Sequence, residues 1–188
     1  MEIIFEGPDK TGKSTSALNI SKGDVIYNLI KEVYNGLAPA DPGTIRCFDR
    51  IDWFTHAVYR LALPEHEWND PRVRTVFSMP DAHLVIKYHN PVTAPFVDDE
   101  LYTRGTVSRV SKMYHDVGLG LIRLNANQGH RMFKTISMIE VTKTASSFRQ
   151  RMTEFSSPVT FYKKKWSLDY GTTDEQLVWV LEHEEQNR

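Results

Sequence analysis

One cysteine, Cys47, is all that the 188 residues contain. A single thiol excludes an intramolecular disulfide framework and a cysteine-rich zinc centre, and it suits a reducing compartment. Cys47 itself reads as a small buried hydrophobe. No apolar run approaches the length of a membrane span, so no membrane partner is expected. The opening residues Met1 to Phe5 read as a first strand instead of a signal peptide, which points to the cytoplasm. Charge of one sign is also lacking: 23 basic and 24 acidic residues leave a formal net charge of −1. That balance gives no global electrostatic footprint for nucleic acid and leaves only a local basic face for such contact. Internal repeats, low-complexity stretches and Pro/Ser-rich linkers are absent too. Residues 1–188 therefore read as one domain, and with 40% hydrophobic residues the chain is long enough to bury a core.

What is present begins at Gly7. Gly7-Pro8-Asp9-Lys10-Thr11-Gly12-Lys13-Ser14 satisfies G-x-x-x-x-G-K-[ST], after the apolar run Ile3-Ile4-Phe5 and before a helix-compatible stretch from Thr15 to Ile20. Strand, glycine loop and helix together form a phosphate cradle. Backbone N–H groups of the loop converge on phosphate oxygens, and the helix N-terminus faces the same anion. On this motif Lys13 reaches the β- and γ-phosphates of ATP, Ser14 places its hydroxyl on Mg²⁺, and Thr15 flanks the site.

Further strands are expected at Gly43 to Phe48, ending in Asp49, at Ala82 to Tyr88, at Leu119 to Leu124 and, more weakly, at Val25 to Tyr27. Helices are expected at Trp53 to Leu63 and Val107 to Val117, as crossovers of a parallel sheet require. Thr173 is placed to cap a last helix with Leu177, Val178 and Leu181 on one face. The stretch from Met132 to Val141 fits either period; its β-branched residues favour a strand. Strands alternating with helices behind such a loop imply an α/β fold of three layers, the P-loop NTPase fold, around a mostly parallel sheet.

These residues resemble the thymidylate kinase superfamily. Phe5 to Thr15 is similar to its form of the loop, with Asp9 two places after the first glycine. Asp49-Arg50 resembles its Asp-Arg pair at a strand tip, and Ala57 its helical alanine. Pro80-Asp81 leads a strand like the family's, and Arg109-Val110-Ser111-Lys112-Met113-Tyr114 resembles its Arg-Val-x-x-x-Tyr helix. Leu124-Asn125-Ala126 sits where the family has a strand end near the adenine, which would make Asn125 and Ala126 contacts of the donor nucleotide. The resemblance covers residues 3 to about 127, and the remaining third carries no match. It departs on the acceptor side: the stretch before Asp49 is short, no Arg-Glu-Pro segment occurs in it, and Val58-Tyr59 stands where a Tyr-Gln pair is usual. A shortened acceptor region and lid are expected.

Phosphoryl transfer needs positioning and charge neutralisation. Lys13, Ser14 with Mg²⁺, and the arginines Arg104 and Arg109 would supply these on the donor side, with Pro8, Lys10, Thr11 and Gly12 lining the phosphates. Arg50 suits a clamp on an anionic acceptor. An alcohol acceptor must lose a proton, for which Asp9 and Asp49 both qualify, while Asp49 is also suited to a Mg²⁺ contact. Near them, Trp53, His56 and Tyr59 share a helix face and are placed to stack a base, with Phe54, Val58 and Leu61 as the buried stripe. Trp68 reads as an exposed loop aromatic or a cover over the core. Lys163-Lys164-Lys165-Trp166 reads as a solvated edge or a phosphate-backbone contact.

Three functions fit. The first is phosphorylation of the hydroxymethyl group of 5-hydroxymethyluracil in DNA, as in the DNA kinases of phages with hypermodified thymine, which would act in the host cytoplasm. The second is a conventional kinase of deoxynucleoside monophosphates such as dTMP. The third is a P-loop NTPase that binds without an acceptor. The first two share ATP, Mg²⁺ and a pyrimidine deoxynucleotide, free or within DNA.

Overall fold

Ile3 and Phe5 of the first strand turn to one side of a sheet and Ile4 to the other, and both sides are buried. The computed structural model describes residues 1–68, 74–97, 105–127, 131–156 and 171–186. Its elements run β1 (Glu2–Glu6), α1 (Lys13–Ser21), β2 (Val25–Leu29), α2 (Lys31–Gly36), β3 (Arg46–Ile51), α3 (Asp52–Ala62), β4 (Met79–His89), a 3₁₀ turn (Ala94–Phe96), α4 (Thr106–Asn127), β5 (Phe133–Lys143), β6 (Phe148–Ser156) and α5 (Asp174–Gln186).

The six strands lie in the order β2-β3-β1-β4-β5-β6. The first five are mutually parallel and β6 runs antiparallel to β5. One face buries Ile4, Phe48, Leu84, Ile86 and Met138 against Phe54 and Val58 of α3 and Val110 and Tyr114 of α4. The other buries Ile3, Phe5, Cys47, Val85 and Ile139 against Ala17 of α1 and Leu177 and Leu181 of α5. Each of the valine, leucine, isoleucine, phenylalanine and methionine side chains among them, taken fully out of water, contributes about 1.5–3 kcal/mol. This is the expected three-layer α/β architecture of the P-loop NTPase type.

Several elements follow from local sequence. Thr173 caps α5 as a capping box: its hydroxyl accepts the Gln176 N–H at 3.2 Å, and the Gln176 side chain accepts the Thr173 N–H at 2.9 Å. Met132 to Val141 resolves as strand β5. Cys47 is fully buried, and burial pushes its thiol up to about 12, an inert position.

Other expectations need correction. Leu119 to Leu124 is not a strand but part of the second half of the 22-residue helix α4. Gly118 lies within the helix, where a β-carbon would stand 3.0 Å from the Met138 side chain and 3.1 Å from that of Ile86. Leu61, placed in the buried stripe of α3, is 61% exposed; Phe54 and Val58 are buried as expected. Helix α2 and strand β6 were not anticipated. Among the described residues no helix is long and apolar enough to cross a membrane.

Candidate functional site

The loop leaves β1 at Gly7 and enters α1 at Gly12, which caps the helix with φ +75° and accepts the Ser16 N–H at 3.0 Å. Gly7 has φ +145° and lies against the sheet. The Pro8 carbonyl accepts from the Thr11 hydroxyl at 2.9 Å and from the Lys13 ammonium at 2.7 Å, so the loop is closed on itself. Lys13 is buried, and burial, reinforced by Arg50, pulls its ammonium down to about 8. Negative charge brought to the loop favours the charged form and opposes that shift.

Parallel pairing of β1 with β3 sets Phe5 beside Asp49, and the tip of β3 therefore arrives beside the loop. Asp49 Oδ2 accepts the Ser14 hydroxyl at 2.5 Å, while its Oδ1 is buried without a hydrogen-bond partner. A buried carboxylate oxygen left bare next to a loop hydroxyl fits a divalent cation, and Ser14 and Asp49 are the residues that would hold Mg²⁺. Among the described residues no group of three His, Cys, Asp or Glu side chains is placed to hold a metal ion, so an ion here would take its other ligands from phosphate and water.

Asp9 is ion-paired with Arg50. Behind them, His89 donates from Nε2 to the Asp9 carbonyl at 2.8 Å; burial lowers the imidazole's pKa. Asp9, Lys10, Lys13, Ser14, Asp49 and Arg50 line a cleft of about 430 Å³. A smaller recess of about 150 Å³ opens beside it, walled by Thr55, His56, Tyr59, Trp68 and Arg74. Asp9, Asn28 and Arg50 line both. His56 and Tyr59 thus reach the recess as expected, and Trp68 joins them with its ring edge-on to both His56 and His66.

A third cleft, about 640 Å³, lies on the α1 and α5 side, between Lys10, Gly12, Thr15 and Asn19 on one wall and Phe148, Gln150 and Asp174 on the other. The Phe148 ring stands over the loop, 2.9 Å from where a β-carbon on Gly12 would be. Beneath it sits Lys87, fully buried, whose ammonium donates to Ser16 Oγ at 2.5 Å, Gln150 Oε1 at 2.9 Å and the Gly12 carbonyl at 3.3 Å. Asp174 closes the ring, accepting from Ser16 at 2.8 Å and from the Gln150 amide at 3.0 Å. Burial draws Lys87 down to about 8. Glu6 is the matching buried acid on the other face. It accepts the Ile51 N–H at 2.6 Å, the Thr55 hydroxyl at 3.0 Å and the Tyr114 hydroxyl at 3.1 Å, and burial raises it to about 7. Sequence reasoning passed over Lys87, Glu6 and Phe148. The signal for Lys87 is a lysine set between the apolar run Leu84-Val85-Ile86 and Tyr88 on one strand.

Four expected site residues are placed elsewhere. Asn125 and Ala126 lie at the end of α4, not on a strand tip, and Asn125 donates to the Phe133 carbonyl at 3.1 Å, where β5 begins. β1, β4 and β5 are parallel and the loop follows the C-terminal end of β1, so this lies at the opposite end of the strands. Arg109 is exposed and gives both its terminal nitrogens to Glu65 instead of to the loop. Trp53 packs against the α3/α4 core, edge-on to Phe54 at 5.5 Å, and lines a separate recess with Leu29 and Phe77. Arg104 and the run Lys163 to Trp166 lie outside the described residues.

No family model matches the chain, and neither does any curated protein sequence. Among solved structures, the YorR protein of Bacillus subtilis, determined in complex with phosphorylated GDP, aligns over 99% of this chain and 98% of its own with 18% identity and a TM-score of 0.45.

Proposed function

We propose that this chain is a P-loop phosphotransferase that moves the γ-phosphoryl group of ATP onto a pyrimidine deoxynucleotide. The observation that carries this reading is the sharing of Asp9, Asn28 and Arg50 between the loop cleft and the aromatic recess. A group seated in the recess meets the phosphates of a nucleotide on the loop at those residues, the arrangement that a direct transfer requires. The cleft walled by Phe148, Gln150 and Asp174 is continuous with Lys10, Gly12 and Thr15 of the loop and takes the nucleoside of the donor.

In this reaction Lys13 neutralises charge on the transferred phosphoryl group, and the N–H groups of the loop hold the phosphates in line. Mg²⁺, held by Ser14 and Asp49, would neutralise further phosphate charge. The accepting oxygen forms its bond to the γ-phosphorus as the bond to the β-bridging oxygen breaks and ADP leaves.

The acceptor that two adjacent carboxylates favour is an alcohol, the 5-hydroxymethyl group of 5-hydroxymethyluracil in DNA. Asp9 or Asp49 then takes the hydroxyl proton. A conventional dTMP-type kinase is the second reading, favoured by Arg50, whose guanidinium at the junction suits a monophosphate. Labelled ATP offered in parallel with dTMP, 5-hydroxymethyl-dUMP and DNA containing 5-hydroxymethyluracil tests both. Transfer to the modified DNA alone supports the first reading, transfer to dTMP replaces it with the second, and ATP hydrolysis without any transfer removes both.

A further inference from the structure

The strands β2 and β3 break step at the same rung. In a regular strand, residues two apart share a face. Ile26 and Leu29 of β2, three apart, nevertheless both pack on the α3/α4 side, and so do Phe48 and Ile51 of β3. Tyr27 pairs with Asp49 and Leu29 with Ile51, which leaves Asn28 and Arg50 abreast between the two pairings. Both have left-handed backbone, φ +49° for Asn28 and +77° for Arg50. Each strand thus turns over at this rung and sends one side chain out of the sheet. For Arg50 the conformation has no help from a small or turn-forming side chain; it is held by packing on both sides and by the pair with Asp9.

The two side chains emerge where the loop cleft meets the aromatic recess. Arg50 has a partner there in Asp9, whereas Asn28 is exposed and no described residue hydrogen-bonds its carboxamide. We infer that Asn28 is an acceptor-binding residue: its carboxamide, set beside Arg50 by the matched break in β2 and β3, hydrogen-bonds the phosphoryl-accepting group of the nucleotide. Arg50 offers only donors and Asp9 only acceptors, while the carboxamide offers both. It can therefore donate to the oxygen of a phosphate or accept the hydrogen of a hydroxyl. The inference rests on the phosphotransferase reading above and adds to it the contact that orients the acceptor.

Asn28→Gly is the decisive variant, because glycine adopts the left-handed backbone without cost and only the carboxamide is lost. Asn28→Asp keeps the shape and replaces the donor with a second negative charge beside Asp9. Steady-state kinetics with dTMP, 5-hydroxymethyl-dUMP and 5-hydroxymethyluracil DNA are measured beside ATP KM and thermal melting. Both variants are expected to lose about tenfold or more in kcat/KM for the acceptor, the worth of one substrate hydrogen bond, with ATP KM within about twofold and the melting temperature of the glycine variant unchanged. A structural asparagine would shift melting or ATP KM instead. Unchanged acceptor kcat/KM in Asn28→Gly, on whichever acceptor the wild type phosphorylates, overturns the inference and leaves the phosphotransferase reading standing. A wild type that phosphorylates none of the three overturns the reading, and the inference with it.

Discussion

A β-carbon placed on Gly7 would lie 2.1 Å from the carbonyl oxygen of Lys87, closer than any packing permits. The first residue of the glycine loop is therefore pressed onto the backbone of β4, whose Lys87 side chain reaches round to the carbonyl of the last loop glycine, Gly12, at 3.3 Å. The loop is clamped between two parts of one residue.

Gly7→Ala should consequently disable the loop. The variant must either push β4 away or abandon the φ of +145°, and a non-glycine residue there also carries about 1–3 kcal/mol of backbone strain. Loss of nucleotide binding by calorimetry, with a lowered melting temperature, is the expected outcome. Normal ADP affinity would show that the loop tolerates displacement.

Lys13→Ala removes the ammonium that now rests on the Pro8 carbonyl at 2.7 Å. A rate loss of roughly a thousandfold is expected, the scale on which preorganised charge stabilisers act. Single-turnover measurement at saturating ATP separates this from weaker binding. Turnover like that of the wild type would sink the assignment of the loop.

Lys87→Met tests the buried ring that joins Gly12, Ser16, Gln150 and Asp174. Removing the ammonium relieves its desolvation cost but leaves the acceptors on Gly12, Ser16 and Gln150 without their donor, so melting should fall modestly. The Gly12 carbonyl and the Gln150 wall of the donor cleft lose their common anchor, so ATP KM should rise about tenfold, equivalent to one charge-assisted hydrogen bond. A large fall in melting temperature with unchanged ATP KM would make Lys87 a stability residue alone.

The sequence was legible where local signals agree with the fold. The apolar run of β1 followed by Gly7 to Ser14, the strand carrying Asp49 and Arg50, and the Thr173 to Gln176 capping box all needed only neighbours in sequence. It misled where tertiary packing overrides local pattern. Leu119 to Leu124 reads as a strand from its local pattern, yet it continues helix α4, which packs on β4 and β5. Strand β6 was hidden because it pairs on one side only and keeps Arg149 and Arg151 exposed at the sheet edge, with Met152 buried. The site was half visible for the same reason. Loop residues and Asp49-Arg50 are contiguous motifs, whereas Lys87, Phe148 and Asn28 reach the site only through strand register.

Glu6 gives a dependence on pH. Its carboxyl is raised by burial from an ordinary 4.5 to about 7 in the folded chain. Between those values the native state holds a proton that the unfolded chain has released, so stability falls as pH rises through the window. At roughly 1.4 kcal/mol per pKa unit the cost above pH 7 is on the order of 3 kcal/mol. Glu6→Gln keeps an acceptor for the Ile51 N–H and removes the titration. Urea unfolding of both proteins across this range should show the variant gaining on the wild type as pH rises. Parallel curves would mean that Glu6 titrates alike in both states.

Asp9 and Asp49 separate the two acceptors. Transfer to a hydroxymethyl group requires removal of its proton, so the isosteric change to asparagine at the aspartate acting as base should slow the chemical step about a hundredfold, with ATP affinity retained. The two aspartates are distinguishable by their partners. Asp9 is paired with Arg50, and Asp9→Asn weakens the hold on Arg50 as well as removing a base. Asp49 accepts from Ser14 and presents a bare Oδ1, so Asp49→Asn should also raise the Mg²⁺ concentration needed for half-maximal rate. A dTMP-type acceptor already carries its charge and needs no base. For that substrate Arg50→Ala should be the damaging change, raising acceptor KM while ATP KM holds. Single-turnover rates of the three variants on 5-hydroxymethyluracil DNA and on dTMP, with ATP affinity measured alongside, yield opposite rankings for the two chemistries. Should Arg50→Ala cost more than either asparagine variant on the acceptor that the wild type uses, the alcohol acceptor is wrong and the monophosphate takes its place.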